Sequence, residues 1–174
     1  GISLRQYLES RNQPMSFTEA WNFLLPVMEA LEKVHQNKLI HRDISPDNFI
    51  IKEDGSIKLL DFGSAREYAE EKTMTVLVKK GYAPPEQYSR KGKQGPWTDI
   101  YSICATLYEM ITGVIPQPAM ERLKADKLYL PSSYGCDITP LQEKILMKGL
   151  ALDYKKRYKD IAELKNSFFP EKQE

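Results

Sequence analysis

A mainly α domain with one small β-hairpin is what this sequence predicts, on three observations. Apolar residues recur at helical spacing behind recognisable caps in several stretches. One short segment switches to strand period around a glycine-containing turn. No strand–helix–strand alternation occurs, so nothing asks for a parallel sheet. At 174 residues the chain has the size of one domain, able to bury roughly 70% of its extended surface without a disulfide or metal staple.

The first strong helix begins at Ser16. Ser16 and Glu19 form an S-x-x-E capping box, and Phe17, Trp21, Leu24, Met28, Leu31 and His35 follow at helical spacing. Pro26 lies inside this helix, removes one backbone donor and predicts a kink. The period then changes: Phe49-Ile50-Ile51-Lys52, a turn at Glu53-Asp54-Gly55-Ser56, and Ile57-Lys58-Leu59-Leu60. This reads as a hairpin with Lys52 paired to Ile57 across a four-residue loop. Thr98 opens a second helix that runs to Gly113, with Ile100, Ile103, Cys104, Leu107, Met110 and Ile111 on one face, expected at the centre of the core. A third begins at Thr139, with Pro140 at N1 and Gln142 at N3. A last helix spans roughly Asp160 to Phe168.

Composition removes several function classes. Lys plus Arg number 25 against 24 for Asp plus Glu, and the net charge of +1 gives no generic attraction to nucleic acid or to a membrane surface. The mean hydropathy is −0.51, no apolar run reaches the length of a membrane span, and the opening GISLRQYLESR has no signal-peptide pattern. Cys104 and Cys136 suggest neither a disulfide framework nor a zinc site. The expectation is a soluble, cytoplasmic domain, with no nucleic-acid partner and no membrane contact from this segment.

The hairpin supplies the first chemical argument. Pairing Lys52 with Ile57 places Asn48 opposite Asp61 at the open end, and directly opposed residues have Cβ atoms about 5 Å apart. An amide oxygen beside a carboxylate suits a hard cation such as Mg²⁺, which fills its shell with phosphates and water. Asp43 lies five residues before Asn48, in the turn that joins the first strong helix to the hairpin. On spacing alone, the same three groups serve equally well as turn residues.

The literal residues break that tie. His41-Arg42-Asp43, Asn48 and Asp61-Phe62-Gly63 resemble the H-R-D-x-x-x-x-N catalytic loop and D-F-G motif of protein kinases. A chance match of these positions is on the order of one in a billion per window. Ala83-Pro84-Pro85-Glu86 resembles the A-P-E end of an activation segment, with Pro84 in place of the usual alanine. Trp97-Thr98-Asp99-Ile100-Tyr101-Ser102 is similar to the start of the central helix of the kinase large lobe, and Arg157 matches the arginine that pairs with the A-P-E glutamate. The phrases HRDISPDN and GYAPPEQY are most similar to bacterial serine/threonine kinases.

The resemblance implies a kinase C-terminal (large) lobe over residues 1–174, with ATP and Mg²⁺ as cofactors and a protein hydroxyl as phosphate acceptor. Asp43 would orient that hydroxyl and take its proton, while Asn48 and Asp61 would hold the Mg²⁺ ions. Ile50 would form an apolar floor under adenine, and Ser3 would lie near the ribose. His41 and Phe62 would help build the internal spine, Asp99 would accept backbone donors from the catalytic loop, and Glu86 would pair with Arg157. Arg42 is implied as the partner of a phosphorylated activation segment, with Thr75 as the modified position and Thr73 as runner-up.

Two departures from the pattern carry expectations of their own. The sequence holds no G-x-G-x-x-G loop and no V-A-I-K lysine, so the small lobe is expected elsewhere in the parent chain. The fragment alone is then expected to be inactive, to bind ATP·Mg²⁺ weakly and to expose an apolar lobe interface that favours self-association. The usual lysine two residues after the catalytic aspartate is Ser45, which opens a second class, a pseudokinase or scaffolding module. A third class, a small-molecule phosphotransferase, is opposed by the A-P-P-E segment and Arg42. Lys79 stands seven residues before Glu86, where the family carries a threonine facing the catalytic loop. Either it restores the missing phosphate-contacting charge, or it is a solvated lysine beside Lys80.

Overall fold

The computed structural model describes residues 1–61, 66–67, 78–89 and 91–168. Phe62, Gly63, Thr73 and Thr75 lie outside the described residues. At the centre stands a helix, Pro96–Thr112, in which every residue from Thr98 to Thr112 is buried. An amphipathic helix needs one apolar neighbour, whereas one buried all round needs cover on every side. Helices at Phe17–Gln36, Pro140–Gly149 and Ile161–Phe168 pack against it. In chain order the α-helices are α1 (Leu4–Ser10), α2 (Phe17–Gln36), α3 (Pro96–Thr112), α4 (Ala119–Lys124), α5 (Pro140–Gly149) and α6 (Ile161–Phe168).

Buried hydroxyls on α3 find partners without disturbing its packing. Ser102 Oγ donates to the Tyr82 carbonyl at 2.7 Å, Thr106 Oγ1 to Ser102 O at 2.9 Å and Thr112 Oγ1 to Tyr108 O at 2.7 Å. The helix starts at Pro96 rather than at Thr98, because a proline already has helical φ and no donor to lose at N1. Thr98 sits at N3 and its hydroxyl accepts from Gly95 N at 3.2 Å. Ser16 caps α2 by accepting from Glu19 N at 3.1 Å, and Pro26 is carried inside the helix. Phe168 of α6 lies 4.0 Å from the Trp21 ring and 4.9 Å from Phe17, centroid to centroid, which seats α6 on α2. Thr139 caps α5, accepting from Gln142 N at 3.1 Å.

Two small antiparallel sheets lie at one end. β1 (Ile2–Ser3), β3 (Phe49–Ile51) and β4 (Ile57–Leu59) form the first, in the order β1-β3-β4. β2 (Leu39–Ile40) pairs with β5 (Arg66–Glu67) in the second. The hairpin exists, but its register differs by one residue from the sequence expectation. Phe49 faces Leu59, Ile50 faces Lys58 and Ile51 faces Ile57. Lys52 N donates to Ser56 O at 2.8 Å, so the loop has three residues and Gly55 takes φ 85. A left-handed glycine at the last loop position closes a three-residue turn. Asn48 therefore opposes Leu60, whose N–H it accepts at 2.7 Å, and Asp61 lies one residue beyond.

Candidate active site

Asp99, the first buried acid of α3, organises the loop that carries Asp43. Its carboxylate is fully buried. Oδ2 accepts from His41 N and from His35 Nε2, both at 2.8 Å, and Oδ1 accepts from Arg42 N at 2.9 Å. Burial pushes the Asp99 pKa upward, but the His35 hydrogen bond and charge, with the two backbone donors, more than offset it and hold it below the usual value. Those donors also hold Arg42 at φ 71, a left-handed conformation that costs a non-glycine residue about 1 kcal/mol or more. Gln87 Nε2 donates to the Arg42 carbonyl at 2.9 Å, fixing the other side of the same turn.

His41 is fully buried and both ring nitrogens are engaged. Nδ1 accepts from Asp43 N at 3.1 Å, so Nε2 carries the proton and donates to Leu60 O at 2.7 Å. The ring ties the Asp43 loop to the residue before Asp61 and is not placed to act as a base.

Asp43 emerges from this frame with its side chain 31% exposed. Asn48 Nδ2 donates to the Asp43 carbonyl at 2.7 Å, which leaves the Asn48 amide oxygen without a hydrogen bond among the described residues. Asp61 is exposed, at φ 63, and makes no ion pair among the described residues. An available amide oxygen and an available carboxylate, one residue out of register across the hairpin mouth, fit a hard cation that completes its shell with phosphate and water. Lys79 Nζ lies 3.3 Å from Asp43 Oδ1 and 3.1 Å from the Oγ of Ser45, which is itself fully buried.

Ser3 and Ile50 are direct partners across β1 and β3. Opposed residues project to the same face of a sheet, and here it is the face away from buried Phe49 and Leu59. Ser3 also has a local task absent from the sequence reading. It caps α1, accepting from Gln6 N at 3.1 Å while Gln6 Oε1 accepts from Ser3 N at 3.0 Å.

Glu86 and Arg157 meet in a bidentate pair, 2.6 and 2.8 Å, with side chains 5% and 0% exposed. Thr98 Oγ1 donates to Glu86 at 3.0 Å, and Arg157 also donates to the carbonyls of Trp97, Ala151 and Leu152. The sequence reading missed a second buried acid in α3. Glu109 is bonded by Arg5 from α1 and by the Tyr82 hydroxyl, and Arg5 donates to Tyr82 Oη at 2.6 Å. Burial and the Glu109 bond together push the Tyr82 hydroxyl pKa up, so it stays a donor. The signal was present, since a carboxylate amid the apolar run of α3 demands a partner.

The protein kinase domain profile matches residues 1–163. The chain is 31% identical over 173 residues to the probable serine/threonine-protein kinase PknB of Lactococcus lactis, covering 94% of this chain and 27% of that protein. It is 32% identical over 184 residues to the serine/threonine-protein kinase PrkC of Bacillus subtilis, covering 97% of this chain and 28% of that one. The solved apo form of PpkA-294 superposes with a TM-score of 0.79 at 31% identity, over 96% of this chain and 59% of that structure. The chain thus spans little more than a quarter of the curated relatives it matches. With a pinned H-R-D loop, its asparagine locked to the aspartate, and a profile match over most of its length, the chain belongs to the protein kinase family.

Proposed function

We propose that the full-length parent protein is an ATP- and Mg²⁺-dependent serine/threonine protein kinase of the cytoplasm, and that residues 1–174 form its large lobe. The observation that carries this reading is the presentation of Asp43: a half-buried carboxylate on a strained loop held from beneath by Asp99, with Asn48 bonded to its carbonyl. Its relatives named as serine/threonine kinases support the choice of acceptor. In this mechanism Asp43 orients a substrate hydroxyl and accepts its proton. Asn48 and Asp61 hold the metal, which when bound neutralises charge on the phosphates. Ile50 and Ser3, paired across the sheet, face the nucleoside. Arg42 receives a phosphorylated Thr75, or Thr73, of the activation segment. Exposed Ile2 and Leu60 mark an apolar surface for the small lobe or for a second copy.

The test is transfer of labelled γ-phosphate from ATP to serine and threonine of an acceptor protein by the full-length parent. Asp43→Asn should lower kcat by about 10²-fold or more, and Asp61→Asn should remove the Mg²⁺ dependence of ATP binding in calorimetric titration. A wild-type protein that binds ATP·Mg²⁺ and transfers nothing would instead be a scaffold.

A further inference from the structure

Resting on the kinase reading above, we infer that Lys79 is a catalytic residue whose ammonium contacts the transferring γ-phosphoryl group and supplies the positive charge that Ser45 lacks. The two positions are 34 residues apart, yet Lys79 Nζ sits 3.1 Å from Ser45 Oγ and 3.3 Å from Asp43 Oδ1. To take a proton, Asp43 must stand at hydrogen-bond distance from the acceptor hydroxyl. A cation in contact with the same carboxylate therefore lies beside the bond being made, within reach of the equatorial phosphoryl oxygens over which the transition-state charge is spread.

Burial supports access to that charge. Ser45 is fully buried and serves as the anchor, whereas the Lys79 side chain is 38% exposed beside an Asp43 side chain that is 31% exposed. The backbone of Lys79 is held as well. Its carbonyl accepts from Tyr82 N at 3.1 Å and from Ala83 N at 3.0 Å, a turn that Gly81 permits at φ 93. A Cβ at Gly81 would also come within 2.6 Å of Ile115 Cγ2, so the close approach favours glycine there as well. Among the described residues no other cation pairs with Asp43, and neighbouring Lys80 is exposed without an ion pair.

The step balances without a further reactant. The acceptor hydroxyl oxygen bonds to the γ-phosphorus of ATP as the bond from that phosphorus to the β,γ-bridging oxygen breaks. The electron pair leaves with ADP, and the hydroxyl proton passes to Asp43. Lys79 keeps its proton throughout and acts by charge and donated hydrogen bonds.

Steady-state kinetics of the full-length parent test this. Lys79→Ala should lower kcat by about 10²-fold while changing KM for the acceptor protein less than threefold. Lys79→Gln, which keeps bulk and a donor to Ser45 without charge, should fall as far, and Lys80→Ala should stay within twofold of wild type. Added methylammonium or ethylammonium should restore Lys79→Ala at least tenfold, and the swap Ser45→Lys with Lys79→Thr should recover a similar amount. A Lys79→Ala protein within threefold of wild type overturns the inference and leaves the kinase reading standing. So does a loss that neither amine nor swap relieves, since that marks a structural ion pair. A wild-type protein that transfers no phosphate removes both.

Discussion

At Asp99 one carboxylate is removed from water entirely and receives three donors in return, from His35, His41 and Arg42. A charge buried this way is tolerated only while the donors stay, and losing it strands two backbone N–H groups in the core. Asp99→Ala should cost about 3–5 kcal/mol in urea unfolding of the parent protein, and the released Arg42 turn should carry Asp43 out of line, lowering kcat more than KM. The pH dependence has a definite sign. Because the folded pKa lies below the unfolded one, this contribution is full above about pH 5 and is lost as pH falls through the folded value. Wild-type stability should therefore drop on acidification below about pH 4, and that acid limb should be shallower in Asp99→Asn. Equal limbs for the two proteins would show that Asp99 is not ionised in the fold.

Packing of whole elements is limited by single atoms at a few glycines. Where α5 crosses α3, a Cβ at Gly149 would lie 2.3 Å from Cys104 Sγ and 3.1 Å from its Cβ. Both residues are buried, and burial pushes the Cys104 thiol up to about 12, so it stays an uncharged packing group. Gly149→Ala must push the helices apart and should cost about 1–3 kcal/mol in spite of the better helix propensity of alanine. Gly55 makes the contrast. Its φ is 85 and nothing lies within 4 Å of an added Cβ, so Gly55→Ala should cost only the left-handed backbone, about 1 kcal/mol. Thermal unfolding of the two variants side by side checks both. A larger loss at Gly55 than at Gly149 would contradict so close a crossing of α5 and α3.

Across the whole molecule, the Glu86–Arg157 pair joins two regions 71 residues apart in sequence. Arg157 donates to both Glu86 oxygens and to three carbonyls around it, and its guanidinium lies 5.0 Å from the Tyr101 ring centroid. The clasp thereby closes the segment that bears Lys79 and Tyr82 onto the helical core. Arg157→Ala should cost about 3–5 kcal/mol, because it leaves Glu86 charged, buried and unpaired. Arg157→Lys should recover little, since one ammonium cannot reach five acceptors lying in different directions. Arg157→Ala combined with Glu86→Ala should be less destabilising than the sum of the single changes, measured in a double-mutant cycle by denaturant unfolding. Strict additivity would mean that the pair is not coupled.

What was legible in the sequence alone is what depends on neighbours within about four residues. Ser16 with Glu19 and Thr139 with Pro140 and Gln142 announce their helices because capping bonds span three residues. The H-R-D, N and D-F-G residues, though spread over a longer stretch, identified the family because residue type and spacing carry that resemblance without any contact being known. The hairpin register was lost at one loop residue. Three- and four-residue turns share the same glycine signal, and only the burial of Leu59 with Phe49 on one face selects the shorter loop. Parity held the clue, since Lys58 between Ile57 and Leu59 points that face outward. No local pattern could pair Arg5 with Glu109, 104 residues away, whereas the family resemblance already set Lys79 opposite the catalytic loop and the fold added its contacts with Asp43 and Ser45. Such contacts exist only once α3 has been covered on all sides, because burial is what makes an unpartnered charge costly enough to choose its partner.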